Sequence, residues 1–454
     1  MVITTESALS SKTRWTIVGL LSASITINLL DRQVLSVLAS ELRTAFSWSN
    51  AQYAYIAVAF NLGMMCGQIP AGQLLDRVGT RTGLAAIFTV WSLLTCAHAI
   101  AGPGTGVEAV GRGVIGWIPG LSTLAAGLAG FILLRFLLGL SQCGNYTAGI
   151  KALAGLFPAA TRARAGGIFN AGAQFGSVIA PPIVVFLAST FGWRMAFVIP
   201  GLVGLVWLLP WLATFPDTKT IAAVSVAPAA SAAAVTASGP QVSLPQLFSN
   251  HKVLGLFFIR VFTGPITTFY WTWLPLYLRT PTGNGGRGMS FLAIGFWAMV
   301  PNLFGMTGNI AGGLLTDKFV KATGSVDRGR KLAFTCAFLL GALSATMPFV
   351  GNDFLAIVLM GLALFGNQWV AATYIGTVGD VVPQHLAGRV NGIAGFGDNG
   401  AALLAVLYTG VIVDRYGWTP VFFGAGTMPF LAMASLFLIL RKIEPAIFRG
   451  GRAR

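Results

Sequence analysis

Apolar residues run along this chain in long blocks, near 15–38, 51–75, 82–102, 124–157, 165–189, 195–215, 253–278, 290–316, 332–350, 354–380, 388–413 and 419–440, with short polar stretches between them. At about 1.5 Å of rise per residue, blocks of this length cross a hydrocarbon layer roughly 30 Å thick as helices. Twelve spanning helices are therefore expected, six on each side of a hydrophilic break. A thirteenth stretch, 221–240, would pass on hydropathy. It is Ala/Ser/Val-rich with few large side chains and sits between charged residues, so it reads as a linker. The expected organisation is an N-terminal bundle over 1–215, a cytoplasmic linker over 216–252, and a C-terminal bundle with a basic tail over 253–454.

Charge tests that assignment. With twelve spans and a cytoplasmic N-terminus, nineteen basic residues fall inside and six outside, the bias expected of a membrane protein. A thirteenth span would move the 318–331 cluster to the wrong side. A net charge of +16 is the kind of excess that nucleic-acid partners attract, but its clustering in loops on one side assigns it to the bilayer. Hydrophobic residues make up 55% of the chain and charged residues only 9%, with 57 glycines suited to close helix contacts. Cys66, Cys96, Cys143 and Cys336 lie in apolar runs without metal-ligand spacing, and His98, His251 and His385 are scattered. No metal, cofactor or catalytic constellation is expected, and the chain does not read as an enzyme. The first apolar run lacks a small-residue cleavage site and is expected to remain as a helix.

Within that run stands Asp31-Arg32. Each charge costs roughly 2.5–3.5 kcal/mol at the centre of a spanning helix, so both should face a bundle interior or a wet cavity. An intramembrane ionisable residue reads first as a substrate or proton site, and otherwise as a structural ion pair. Arg135, Arg260 and Lys151 are the other basic residues within spans, and Asp398 is the other deep acid.

The two halves repeat weakly. Gly72-x-x-x-Asp76-Arg77-x-Gly79-x-Arg81 follows the second span, and Gly313-Leu-Leu-Thr-Asp317-Lys318 follows the eighth. Phe191-Gly192-Trp193 follows the fifth, and Tyr416-Gly417-Trp418 the eleventh. Paired six-helix halves are the architecture of alternating-access carriers. The loop motif resembles the signature of the major facilitator superfamily. Here Gly72, Asp76, Arg77, Gly79, Arg81, Asp317 and Lys318 would serve conformational gating, with the glycines allowing tight turning and Asp76 capping a helix or pairing with a basic residue. The first span with Asp31-Arg32, and the fourth with Arg135-Phe-Leu-Leu-Gly139-Leu-Ser-Gln142-Cys-Gly144-Asn145, resemble the anion:cation symporter family. Stretches at 144–151, 167–172 and 269–278 resemble its hexuronate transporters. The resemblance implies an all-α membrane protein, twelve helices in two pseudo-symmetric six-helix bundles. It also implies proton-linked import of a small organic anion, with protons as the coupling ion and no other cofactor.

The residues support an anionic substrate independently. Arg32, Arg135 and Arg260 stay charged at any relevant pH, and guanidinium binds carboxylate bidentately. Gln142, Asn145, Asn170, Gln174, Tyr270, Trp273, Tyr374 and Asn391 add polar or aromatic groups suited to sugar hydroxyls. Asn170 and Gln174 are one turn apart and share a face. For any one of these groups a hydrogen bond between helices is a commoner role than ligand contact. The expected setting is a monomer in the bacterial inner membrane with both termini cytoplasmic.

One departure from the family bears on coupling. Relatives place a glutamate seven residues after the arginine of the fourth span, where this chain has Gln142. Glutamine cannot carry a proton on and off. Asp398 stands where a small uncharged residue is expected, so the coupling carboxylate is either Asp31 or Asp398. The alternative role for Asp398 is a fixed counter-ion to Arg32, Arg135 or Arg260. An uncoupled uniporter or exchanger, and a multidrug exporter of the same fold, remain the rival functions, the arginines weighing against the exporter.

Overall fold

The structure is a computed structural model whose described residues are 10–117, 125–157, 159–216 and 244–446. Among these residues the regular structure is helical, without strands. The chain divides into two compact units, Met1–Ala230 and Ser231–Arg454. Most of the expected linker, 217–243, lies outside the described residues; its end, Leu244–Ser249, is a short helix.

The first unit contains α1 (Ser11–Val37), α2 (50–78), α3 (80–97), α4 (Leu128–Leu156), α5 (Ala159–Phe191) and α6 (Met195–Thr214). The second contains α7 (His251–Arg279), α8 (Met299–Thr323, preceded by Phe291–Trp297), α9 (Val326–Ala342), α10 (Asp353–Val381), α11 (Gln384–Tyr416) and α12 (Thr419–Ala434), the last continued by a π-helical turn at Ser435–Leu440. Helices α2 and α3 form one run of 48 residues, Asn50–Ala97. At about 1.5 Å per residue that run would extend roughly 72 Å, more than twice the hydrocarbon thickness. Gly79 breaks it, with φ 80° and ψ 164°. That backbone position favours glycine, which carries no Cβ to clash. Eleven of the helices meet a span's length and hydropathy together; α2 is diluted by Gln52, Asn61 and Gln68.

Small residues set how closely the helices approach. A Cβ at Gly63 would run into the backbone of Phe136, and one at Gly139 into the backbone of Phe60. The two glycines thus let α2 and α4 touch backbone to backbone. Between α1 and α5, hydroxyl and amide groups do the joining. Ser22 donates to the carbonyl of Ile168 (3.1 Å), Thr26 to Gly172 (2.9 Å) and Gln33 to Ser177 (3.0 Å). Inside lipid, interhelical hydrogen bonds and van der Waals packing replace the hydrophobic drive of water.

Residues 102–117, the described part of the external insert, form the helix Gly106–Ile115, capped at its start by Thr105. Glu108 is buried and moors it. Its carboxylate accepts from the backbone N–H groups of Gly104 (2.9 Å) and Gly127 (2.9 Å) and from Arg112 (2.8 Å). Burial pushes its pKa up, but the Gly127 N–H, Arg112 and the Gly104 N–H outweigh burial and hold it below the ordinary 4.5.

Two outcomes follow. Gly139→Leu is expected to cost about 1–3 kcal/mol through overpacking and to lower the thermal midpoint in detergent. Gly19→Leu, where nothing lies within 4 Å of the added Cβ, should leave it unchanged. A depressed carboxylate pKa contributes stability that is complete above the unfolded value and lost as pH falls through the folded one. Hydrogen exchange should therefore find helix Gly106–Ile115 protected at neutral pH and opened below the ordinary glutamate range. Equal protection across that window would mean that the helix docks without Glu108.

Candidate functional site

In the first unit, Asp31 and Arg32 do not pair with each other. Neighbours on a helix point about 100° apart, and the two side chains reach different partners. Leu21, Ser24, Asn28 and Asp31 share the buried face of α1. There Ser24 donates to the side-chain oxygen of Asn145 on α4 at 3.1 Å. The Asp31 carboxylate accepts a hydrogen bond from the indole N–H of Trp91 on α3. It also interacts electrostatically with Arg135 on α4, which is 2% exposed and lies over the Phe197 ring at 5.9 Å.

Arg32 is half-buried and reaches α4 at Gln142, two turns along from Arg135. Its Nε donates to Gln142 Oε1 at a long 3.4 Å, its Nη2 reaches Met64 Sδ at 3.5 Å, and its guanidinium lies 5.3 Å from the Phe60 ring centroid. Among the described residues no carboxylate lies within ion-pair distance of Arg32. Around it the polar inventory is incomplete. Both amide atoms of Asn28, Oδ1 of Asp31, Nε and Nη2 of Arg135, Nε2 of Gln142 and Nδ2 of Asn145 are buried without a hydrogen-bond partner among the described residues. Buried polar groups are paired in the great majority of cases, so a cluster of orphans on two adjoining helices marks a place for water or ligand. Lone arginines suit anions, because the guanidinium presents a planar fork of donors.

In the second unit, Arg260 on α7 forms an ion pair with Asp398 on α11. One turn beyond Arg260, a Cβ at Gly264 would fall on the Asp398 carboxyl group. Glycine at 264 is what allows the acid to reach the guanidinium. Arg260 also lies over the Tyr374 ring at 5.6 Å, and the Tyr374 hydroxyl is buried without a hydrogen-bond partner among the described residues. Tyr270 is buried and its hydroxyl meets that of Ser344 at 2.8 Å; Trp273 is buried against Trp418. In this arrangement both pack the interior of their own unit. Asn391 is exposed. In the first unit Asn170 is exposed and donates to the carbonyl of Gly166 at 3.0 Å, and Gln174 is half-buried.

The loop motif resolves into distinct roles. Asp76 pairs with Lys151 at 2.7 Å, and the same ammonium reaches the Leu75 carbonyl at 2.9 Å. Lys151, read from the sequence only as a basic residue within a span, is the partner of Asp76. Their side chains are 77% and 41% exposed, so the pair is worth about 0.2–1 kcal/mol, a latch that opens easily. Gly79 turns the chain, and the Arg81 carbonyl accepts from Trp211 of α6 at 3.1 Å. Gly72 has open space around it and does not serve a close helix approach. Arg77 is exposed, as are Asp317 and Lys318, which form no ion pair among the described residues. In the second unit Arg330 of α9 forms an ion pair with Asp380 of α10. Sequence reasoning did not find Asn28, Trp91 or Gly264. Asn28 is one turn from Asp31 on the same face and was findable from spacing; Trp91 and Gly264 left no local signal.

Of characterised relatives, a probable galactarate/D-glucarate transporter of Bacillus subtilis (strain 168) is 28% identical, covering 98% of this chain and 96% of its own length. A hexuronate transporter of Escherichia coli (strain K12) is 26% identical, covering 96% and 95%. Among solved structures, a bacterial homolog of the human lysosomal transporter Spinster superposes with a TM-score of 0.71 at 16% identity, over 95% of this chain and 98% of that one. A D-xylose-proton symporter superposes with a TM-score of 0.70 at 15% identity, over 94% and 98%. These two likenesses establish the fold. The sequence profile of the Major Facilitator Superfamily matches residues 21–324 and 288–453. The chain belongs to the Major Facilitator Superfamily and is an integral membrane transporter rather than an enzyme.

Proposed function

We propose that this transporter imports a sugar acid, a hexuronate or a close relative, across the bacterial inner membrane by proton-coupled alternating access. The observation that carries the reading is Arg32. It is a permanent cation deep in α1, without a carboxylate partner among the described residues and beside a cluster of unsatisfied amides. An organic carboxylate supplies the missing charge, and Asn28, Gln142 and Asn145 offer donors and acceptors suited to sugar hydroxyls. Relatives along nearly the whole chain carry names for transport of aldarates and hexuronates. The carrier acts as a monomer with both termini cytoplasmic, in keeping with the distribution of basic residues. The exposed Asp76–Lys151 pair serves as a conformational latch.

Protons are the coupling ion, and Asp31 is the first candidate to carry them. Its carboxylate is buried and near Arg135, so loading a proton changes the charge that Arg135 faces. Asp398 is the second candidate, and its contact with Arg260 favours a counter-ion role. A second reading, an uncoupled exchanger, is favoured by one contact. Arg32 leans on the amide of Gln142, which cannot titrate.

Uptake of labelled glucuronate and galacturonate into proteoliposomes, with and without an inward proton gradient, separates the readings. Gradient-dependent accumulation is expected, with Asp31→Asn abolishing accumulation while sparing exchange. Arg32→Gln should cut uptake roughly 10–100-fold, the worth of a hydrogen bond to a charged group at about 1.5–3 kcal/mol. Uptake that only equilibrates selects the exchanger; no uptake of either acid rejects the substrate class.

A further inference from the structure

The helix Gly106–Ile115 takes no part in the chemistry of the candidate site, and it has three sides rather than two. At about 100° per residue, Glu108, Gly111 and Ile115 fall together, and all three are buried. A Cβ at Gly111 would run into the backbone of Ala129, and one at Gly130 would press on the backbone of Glu108. This side is therefore seated on the first turn of α4. A second side carries Ala109, Arg112 and Gly113, small or charged and all exposed. The third carries Val110 and Val114, and it is extended by Trp117, because the backbone of Gly116 is still helical. These three apolar side chains are exposed, Trp117 at 83%. Packing on α4 does not account for the third side, and water gives no reason for it.

We propose that this third side is a docking surface for the bilayer. Val110, Val114 and Trp117 seat in the boundary between headgroups and acyl chains, so the insert is an interfacial helix and not a loop in water. Its position points to lipid. The apolar span that contains α3 ends at Ile100 and the span of α4 begins at Leu128, so a helix packed on the first turn of α4 lies at the level of the membrane surface. The surface leading to it is already of the kind that faces lipid: Val90, Leu93 and Ile100 form an exposed apolar strip running along α3 to the insert. Tryptophan suits such a boundary, with an apolar ring and one polar edge. Here the indole N–H donates to the Val114 carbonyl, which satisfies that edge and leaves the ring free to insert. The charges argue against recognition of an anionic headgroup. Arg112 is paired with Glu108 at 2.8 Å and lies away from the valines, so buried apolar area and not charge attraction carries the contact. Held by Glu108 on one side and by lipid on another, the helix fixes the depth of the connection between α3 and α4. The proposal needs only that the chain spans a membrane and is independent of the substrate.

The test reads Trp117 in the full-length protein reconstituted into phosphatidylcholine vesicles. The fluorescence lost in Trp117→Phe isolates its emission from that of the other tryptophans. That emission should lose most of its intensity to lipid brominated near the headgroups and little to acrylamide in the water. Val114→Asp places a charge on the lipid side and should reverse that order. Gly113→Asp, one residue away on the second side and with open space around it, should leave the order unchanged. Strong acrylamide quenching with little effect of brominated lipid in the wild type would overturn the proposal, since the third side would then stand in water. Emission reached by neither quencher would overturn it too, since protein such as a second copy of the chain would then cover that side. So would an order that a folded Val114→Asp protein leaves unchanged. The wild-type order decides the question even where Val114→Asp fails to fold.

Discussion

A charge inside a bilayer must be answered, and that constraint organises the polar chemistry of this chain. A guanidinium or carboxylate near the middle of a spanning helix costs a few kcal/mol even on the most lenient scales. The chain meets this cost in several ways. Asp398 and Arg260 meet directly in the second unit. Asp31 and Arg135 share a buried neighbourhood with the Trp91 indole as hydrogen-bond donor. Arg32 is left leaning on an amide oxygen, a thioether and a ring face, three weak partners for a full charge. The asymmetry is what a carrier requires. A cation satisfied by its own protein has no use for a substrate, whereas one left short gains from binding an anion.

Close packing makes these arrangements possible. Without Gly63 and Gly139, α2 could not press against α4, the helix that carries Arg135, Gln142 and Asn145. Without Gly264, Asp398 could not reach Arg260. Glycine costs a helix about 1 kcal/mol relative to alanine in water, but in a bilayer close backbone approach is a principal source of helix association. The abundance of glycine in the sequence is thus a statement about geometry at specific crossings. It is not a uniform loosening, since Gly72 and Gly313 have open space around them.

The architecture was legible because it depends on block hydropathy and charge placement, which are properties of stretches. The all-helical, membrane-spanning architecture and the turn at Gly79 could both be read. The partners were harder, since a partner depends on which faces meet. Asp31 and Arg32 looked like one feature and are two, because a helix turns about 100° between neighbours. Asp76 was expected to cap or to pair; that its partner is Lys151, seventy-five residues away, depends on how α2 and α4 meet. Tyr270 and Trp273, read as groups suited to sugar hydroxyls, are buried against Ser344 and Trp418 of their own unit. Asp398 was legible as an anomaly, and its choice of Arg260 among three arginines was not.

The exchange of acids along the chain has a physical consequence beyond the loss of a titrating group. A glutamate at 142 would sit where the Gln142 amide now touches Arg32 and would answer that arginine's charge when ionised. Glutamine leaves Arg32 permanently short of a counter-charge, whereas Asp398 gives Arg260 a permanent one. The anion-attracting charge is thereby concentrated in the first unit. A carrier with a glutamate at 142 must discharge it before the arginine is available, which ties substrate entry to a proton. With Gln142 the arginine needs no such discharge, and the deep carboxylates left in the chain are Asp31, beside Arg135, and Asp398, bound to Arg260.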